Sequence, residues 1–175
     1  MNFITTVPDR IYNVLFLCPG NGSRSLMAEA LLNYAGRGRF WAFSAGSNPS
    51  DEGDPFAIEA LRTAGIPCGG LWPKDWTRFT SYRAPRMDLV VRLSDDVSPM
   101  KASRLPGQPT AALWSLPDPK FLGGSDENKL ATYNAALRGI EDRIIMLIRS
   151  IREVKVFEAI EFPAFSVKAD DQVAA

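Results

Sequence analysis

Cys18 stands directly after the apolar run Tyr12-Asn13-Val14-Leu15-Phe16-Leu17, and Arg24 and Ser25 follow it across the loop Pro19-Gly20-Asn21-Gly22-Ser23. That spacing describes a nucleophile set in an anion-binding loop. Backbone N–H groups of a tight glycine-containing turn, joined by the unpaired N–H groups of a first helical turn, converge on an anion with partial positive charge. Gly20 and Gly22 are expected to permit the close backbone approach. Arg24 adds a planar fork of donors that matches two oxygens of a tetrahedral anion, a geometry lysine does not reproduce. The same field favours the thiolate form of Cys18, the form that attacks. Ser25 is expected to donate a hydrogen bond to that thiolate, and Asn21 to brace the loop. A lone cysteine at a strand end is more simply a small buried hydrophobe, but glycine, arginine and serine at these spacings favour the nucleophile. Cys68 lies between Ile66-Pro67 and Gly69-Gly70, with no basic residue after it until Lys74, and reads as structural or incidental.

The chain contains no histidine. Ser-His-Asp and Cys-His hydrolysis and histidine-rich zinc sites are therefore excluded, no metal is expected, and Cys18 must be activated by its loop. Two cysteines in 175 residues give no disulfide lattice, which points to a reducing cytoplasm. Twenty acidic and twenty basic side chains balance, so no global field draws the chain to nucleic acid or to an anionic membrane. No stretch approaches the roughly twenty apolar residues of a membrane span. A soluble, cytoplasmic protein is expected.

The elements that must position these residues follow from the hydrophobic pattern. Tyr12 to Leu17 reads as a strand buried on both faces. Met27, Ala28, Leu31, Leu32 and Ala35 recur at helical spacing, with Gly36 and Gly38 as a stop. Phe40 to Ser44, Asp88 to Leu93 and Ala111 to Leu116 read as three further strands, and Asp54 to Thr63 as a helix closed by Gly65. Ser125 can cap a long helix whose apolar face carries Leu130, Tyr133, Leu137, Ile140, Ile144, Leu147 and Ile151. This alternation predicts an α/β fold: one three-layer domain, a four-stranded, mainly parallel sheet with helices on both faces. Ligands bind beyond the carboxyl ends of such strands, where Cys18 and Asp118 both fall. The domain is expected to span residues 1–157, with 158–175 a partly disordered tail.

The segment from Val14 to Glu29, VLFLCPGNGSRSLMAE, resembles the signature of the low-molecular-weight phosphotyrosine phosphatase superfamily, which also contains the thiol-dependent arsenate reductases. The likeness continues through Ser44-Ala45-Gly46, Ala64-Gly65-Ile66, Asp88-Leu89-Val90 and Leu116-Pro117-Asp118-Pro119, and covers roughly Tyr12 to Ile148 in matching order. It implies that Asp118 is a general acid, protonating the oxygen that leaves as Cys18 attacks. By its chemistry alone an aspartate between two prolines is ordinarily a turn residue. Its place at the end of a strand expected to neighbour that of the nucleophile favours the acid. The implied mechanism is in-line displacement: Cys18 attacks, Arg24 and the loop amides hold equatorial charge, and Asp118 serves the leaving group.

Within that superfamily, two segments look more like the reductases: Gly107-Gln108-Pro109-Thr110-Ala111-Ala112-Leu113-Trp114 and Lys74-Asp75-Trp76-Thr77-Arg78-Phe79. An aromatic clamp for a phenyl ring is poorly supported, because Asn48-Pro49-Ser50-Asp51 has no aromatic and only Phe121 follows Pro119, after Lys120. Reductases of this kind commonly carry resolving cysteines in the segment that here runs from Arg92 to Gly107, which has none; Ser94 and Ala102 stand at those positions. The leading expectation is therefore an arsenate reductase or arsenate–thiol transferase acting in arsenical resistance. No cofactor would be bound, and an external thiol would complete the cycle: glutathione, mycothiol or a glutaredoxin-like partner. The alternative is a phosphatase hydrolysing phosphate monoesters, and a distant third is a non-catalytic oxyanion-binding protein.

Overall fold

The computed structural model describes residues 10–96, 104–121 and 123–152. Four strands form one sheet: β1 (Tyr12–Leu17), β2 (Phe40–Ala45), β3 (Leu89–Arg92) and β4 (Thr110–Leu113). Three helices accompany them: α1 (Arg24–Ala35), α2 (Pro55–Thr63) and α3 (Asp126–Arg152). The strand order is β2-β1-β3-β4, and every neighbouring pair is parallel. The chain leaves β1 towards β2 on one side and later returns to β3 on the other. The carboxyl end of β1 is thus the point where the winding reverses, the position at which parallel sheets open a crevice, and Cys18 is the next residue.

The α/β architecture matches the pattern of apolar runs, with small shifts at the ends of β2, α2, β3 and β4. β3 begins one residue later and ends one earlier than its apolar run suggests. Asp88 N–H still donates to Asn13 O at 2.9 Å, and Leu93 N–H to Leu17 O at 2.8 Å, so ladder hydrogen bonds extend past both ends. β4 is Thr110–Leu113 rather than Ala111 to Leu116, because the chain turns away before Pro117, which has no N–H to offer a ladder. It is one of the two edge strands of the sheet and is largely exposed.

Two clusters of side chains sandwich the sheet. On one face Val14, Phe16, Leu31, Leu61, Tyr133 and Ile140 join strands to all three helices. On the other, Leu15, Leu17 and Val90 pack with Phe79, Met87 and Leu105 beneath the 3₁₀ turn Trp76–Phe79. α1 is buried nearly all round, because it lies between β2 and α3. It stops where Gly36 passes so close to Leu32 O and Phe40 that a Cβ there would sit 2.7 Å from each, while Gly38 takes the left-handed conformation at φ 76°. α2 starts on Asp54, whose Oδ1 accepts from Phe56 N–H at 2.9 Å, and Gly65 closes it at φ 70°. Among the described residues no helix is long and apolar enough to cross a membrane. Ala102 and the segment 158–175 lie outside the described residues.

Candidate active site

The loop between β1 and α1 is hung from the segment that follows β2. Pro19 O accepts from Asn48 N–H at 2.9 Å, Gly20 O from Ser50 N–H at 2.8 Å and Gly22 O from Asp54 N–H at 2.8 Å. These bonds hold the carbonyls, whereas the N–H groups of Gly20, Asn21, Gly22 and Ser23 donate to no group among the described residues. α1 then begins with Ser23 at its cap position making no side-chain capping bond, and with no acidic residue in its first turn. A row of backbone donors at an uncapped helix N-terminus is a receptor for an anion.

The loop's strained position is not a glycine. Asn21 has φ 45°, a left-handed conformation that asparagine tolerates, while Gly20 and Gly22 have ordinary backbones. Their smallness serves another contact: a Cβ on either would lie 3.2 Å from Ser50 Oγ. The tightest approach belongs to Gly46 after β2, where a Cβ would fall 2.5 Å from Pro19 O and 3.0 Å from Asn21 N. Within the protein the tightest backbone packing against the loop is thus supplied by a glycine across from it.

Around Cys18 the polar contacts run in one direction. Lys74 N–H donates to Asn21 Oδ1 at 2.7 Å, which fixes the amide so that its Nδ2 donates to Ser25 Oγ at 2.8 Å. With its oxygen accepting there, the Ser25 hydroxyl has its hydrogen free for Cys18 Sγ, 2.8 Å away. Cys18 and Ser25 are buried, and Asn21 is wholly so. Asn21 therefore braces the loop and also orients the hydroxyl that reaches the sulfur.

Arg24 enters from the first turn of α1 and is 4% exposed. Its Nη1 donates to Leu116 O at 2.7 Å and Leu93 O at 3.2 Å, the residues just beyond β4 and β3, and its Nη2 donates to Asp118 Oδ2 at 2.7 Å. Nε is buried with no hydrogen-bond partner. Asp118 also carries out the turn role open to an aspartate between prolines: its Oδ1 accepts from Lys120 N–H at 3.0 Å, at the 3₁₀ turn Pro119–Phe121. Cys18, Arg24 and Asp118 meet in one cleft of about 840 Å³, with Ser94 and Phe121 on its wall. The arrangement can hold a tetrahedral oxyanion against a sulfur, with a carboxyl group within reach of the same guanidinium. Among the described residues no set of His, Cys, Asp and Glu is grouped to hold a metal ion.

Sequence reasoning assigned no role to Lys74 or Glu29. Lys74 Nζ pairs with Glu29 Oε2 at 3.1 Å, both nearly buried, and Ser44 Oγ donates to the same carboxylate oxygen. This cluster joins α1 and β2 to the strand of chain that holds Asn21. Its members are far apart in sequence, and only the isolated bridge between Gly46 and Asp75 brings Lys74 beside the loop. Cys68 packs half-buried against the helical core cluster and does not line the cleft.

Comparison with known proteins places this geometry in context. The family model described as low molecular weight phosphotyrosine protein phosphatase matches residues 13–156. An arsenate reductase in a phosphate-binding state superposes with a TM-score of 0.64 at 25% identity, over 81% of this chain and 99% of the other. The thioredoxin-dependent arsenate reductase of Corynebacterium glutamicum gives a TM-score of 0.59 at 26% identity, over 83% of this chain and 64% of its own. The tyrosine phosphatase Wzb of Escherichia coli K30, in complex with sulphate, shares the fold with a TM-score of 0.63 at 19% identity, over 81% and 99%. Comparison with curated protein sequences gives no match. With the family model matched over most of its length, and with an anion-receiving loop at the winding reversal of a parallel sheet, the chain belongs to the low molecular weight phosphotyrosine protein phosphatase family.

Proposed function

We propose that this protein is a cytoplasmic cysteine-nucleophile enzyme that reduces arsenate with the help of an external thiol. The observation that carries the oxyanion chemistry is the pairing of the Cys18–Ser25 contact at 2.8 Å with a buried, unpartnered Arg24 Nε in the same cleft. A buried guanidinium nitrogen without a partner is costly unless a ligand oxygen accepts from it. The loop N–H groups and Arg24 would hold three oxygens of the anion while Cys18 Sγ attacks its centre.

With arsenate, the Cys18–arsenic bond forms as one arsenic–oxygen bond breaks, and Asp118 gives its proton to the departing oxygen, which leaves as water. A second thiol then attacks Cys18 Sγ. The sulfur–arsenic bond breaks, its electron pair stays on arsenic, and arsenite leaves with a mixed disulfide on Cys18. A further thiol reduces that disulfide and restores Cys18. Ser94, at 7% exposure on the cleft wall, has no sulfur to take the resolving role. Glutathione, mycothiol or a redox protein of the glutaredoxin kind would supply the thiol, and the thioredoxin dependence of the Corynebacterium relative adds a dithiol protein to that set.

The wall of the cleft favours arsenate over an aryl ester. Phe121 is the one aromatic side chain among its described residues, and it is 85% exposed. A phenyl ring would find a single loose face rather than a clamp. Phosphate monoester hydrolysis is the second reading, favoured by Asp118 on the same guanidinium as the anion, because water can complete that cycle without a second thiol. The test is arsenite release with glutathione, mycothiol and a glutaredoxin, set against aryl-phosphate turnover under one condition. Arsenite with at least one thiol and slow ester hydrolysis is expected. Fast hydrolysis with no arsenite from any thiol would reverse the order of the two readings.

A further inference from the structure

The floor of the cleft and its mouth carry opposite charge. Five carboxylates line it, Glu52, Asp54, Asp95, Asp96 and Asp118, against two cations, Arg24 and Lys120. Arg24 and Asp118 are paired with each other at 2.7 Å. That leaves four carboxylates facing Lys120, with Glu52, Asp95 and Asp96 all exposed at the rim. None of the four is paired with a cation among the described residues, in a chain whose total charge is zero. The donors deep in the cleft, Arg24 Nε and the loop N–H groups, are the part that takes an anion. Once an oxyanion is bonded to Cys18, its own charge offsets those donors, and an approaching second reactant meets the field of the rim.

We propose that this rim selects the reactant that resolves the Cys18 adduct: a thiol borne beside positive charge, as on a basic face of a redox protein, in preference to an anionic thiol such as glutathione. The inference rests on the arsenate reading for its biological sense, while the charge selection itself belongs to the cleft. A low-dielectric cleft lined by one sign of charge focuses the field and changes encounter rates with charged partners by tenfold or more at low ionic strength. The effect fades as salt shortens the screening length.

The test uses three small thiols of similar size: cysteamine, 2-mercaptoethanol and 3-mercaptopropionate. In the full-length Cys68→Ser chain, Cys18 is converted to its 2-sulfonatoethyl disulfide, an anionic stand-in for the adduct. Mass spectrometry follows the replacement of the sulfonatoethylthio group as thiolate from each reagent attacks Cys18 Sγ, expels the outer sulfur as thiolate and leaves a mixed disulfide of the reagent on Cys18. Rates are compared at equal thiolate concentration and divided by those on the same disulfide of free cysteine. The cationic thiol is expected to outpace the anionic one by about tenfold at low salt, with the neutral thiol between. The ratio should fall towards one in 0.5 M salt, as expected for a screening length of about 4 Å or less. A Glu52→Lys, Asp96→Lys double variant should reverse the order and leave the neutral thiol unchanged. Equal rates for all three thiols, or an order that the double variant does not move, would overturn the proposal. A parallel arm measures arsenite release from arsenate with the same thiols. Charge selection in the exchange arm with no arsenite in the other would refute the arsenate reading and leave the selective rim standing.

Discussion

Arg24 and Asp118 are 94 positions apart and touch at 2.7 Å. The contact joins the first turn of α1, which follows β1, to the loop beyond β4, with β3 between the two strands in the sheet. In the proposed mechanism the residue that receives the anion is thereby held, before any anion arrives, by the residue that protonates what leaves it. Arg24 also ties down the carbonyls of Leu93 and Leu116, so its guanidinium is aligned by three groups of the protein while Nε remains unpartnered. Such prior alignment reduces the reorganisation required when charge develops in the transition state.

Arg24→Lys should lower turnover about a hundredfold or more. An ammonium keeps the charge but cannot reach two carbonyls, Asp118 and the anion in one plane. Steady-state kinetics alongside circular dichroism would check this, and near-normal turnover in a folded variant would reduce Arg24 to a brace for the loop.

Ser25→Ala removes the hydroxyl that Asn21 turns towards Cys18 Sγ. A hydrogen bond to a charged group contributes about 1.5–3 kcal/mol, so the rate of Cys18 alkylation at neutral pH should fall roughly tenfold to a hundredfold. Asn21→Ala should produce a similar loss in alkylation together with lower stability, because alanine at φ 45° adds backbone strain of about 1–2 kcal/mol. An alkylation rate unchanged in Ser25→Ala would remove the hydroxyl from the account.

Gly46→Ala tests the one position where the loop has no room to yield. A Cβ 2.5 Å from Pro19 O must push the backbone of the anion loop. The chain should still fold, with activity lost far more than stability. Activity like that of the parent would show that the loop tolerates displacement.

Strands β1 and β2, the three helices and the loop between β1 and α1 were legible in the sequence because each is written locally, in an apolar run, a cap or a spacing. Cys18, Arg24 and Ser25 lie within eight residues, and the structure brings them together with Asp118 as the expected order of elements implies. The roles of Gly46, Lys74 and Glu29 were not legible. Gly46 matters because of what passes opposite it, and the Lys74–Glu29 pair joins positions 45 apart through a fold that no local pattern specifies. Within the protein the smallness of Gly20 and Gly22 leaves room for Ser50 Oγ, and the left-handed position of the loop falls to Asn21.

Tyr133 donates to Asp54 Oδ2 at 2.6 Å, fastening α3 to the residue that caps α2. Burial, then the hydrogen bond and the charge of Asp54, push the Tyr133 phenol well above its ordinary value. The neutral phenol is thus favoured by folding, so its contribution is complete below the ordinary tyrosine value of about 10 and is lost as pH rises beyond it. Tyr133→Phe should cost about 1.5–3 kcal/mol near neutral pH, and the gap between the two proteins should narrow above about pH 10. Denaturant melts at pH 7 and pH 11 would check both parts; a gap that does not change with pH would deny the phenol this role.

The claim that Cys18 attacks and an external thiol finishes is tested most directly by counting arsenite against added thiol. Purified, fully reduced chain is freed of small thiols, given excess arsenate without oxygen, and titrated with reductant, beside Cys18→Ser and Cys68→Ser. The account predicts no repeated turnover without added thiol, many equivalents of arsenite per chain with it, no arsenite from Cys18→Ser, and parent-like behaviour from Cys68→Ser. Repeated arsenite formation without added thiol, or any from Cys18→Ser, would contradict it.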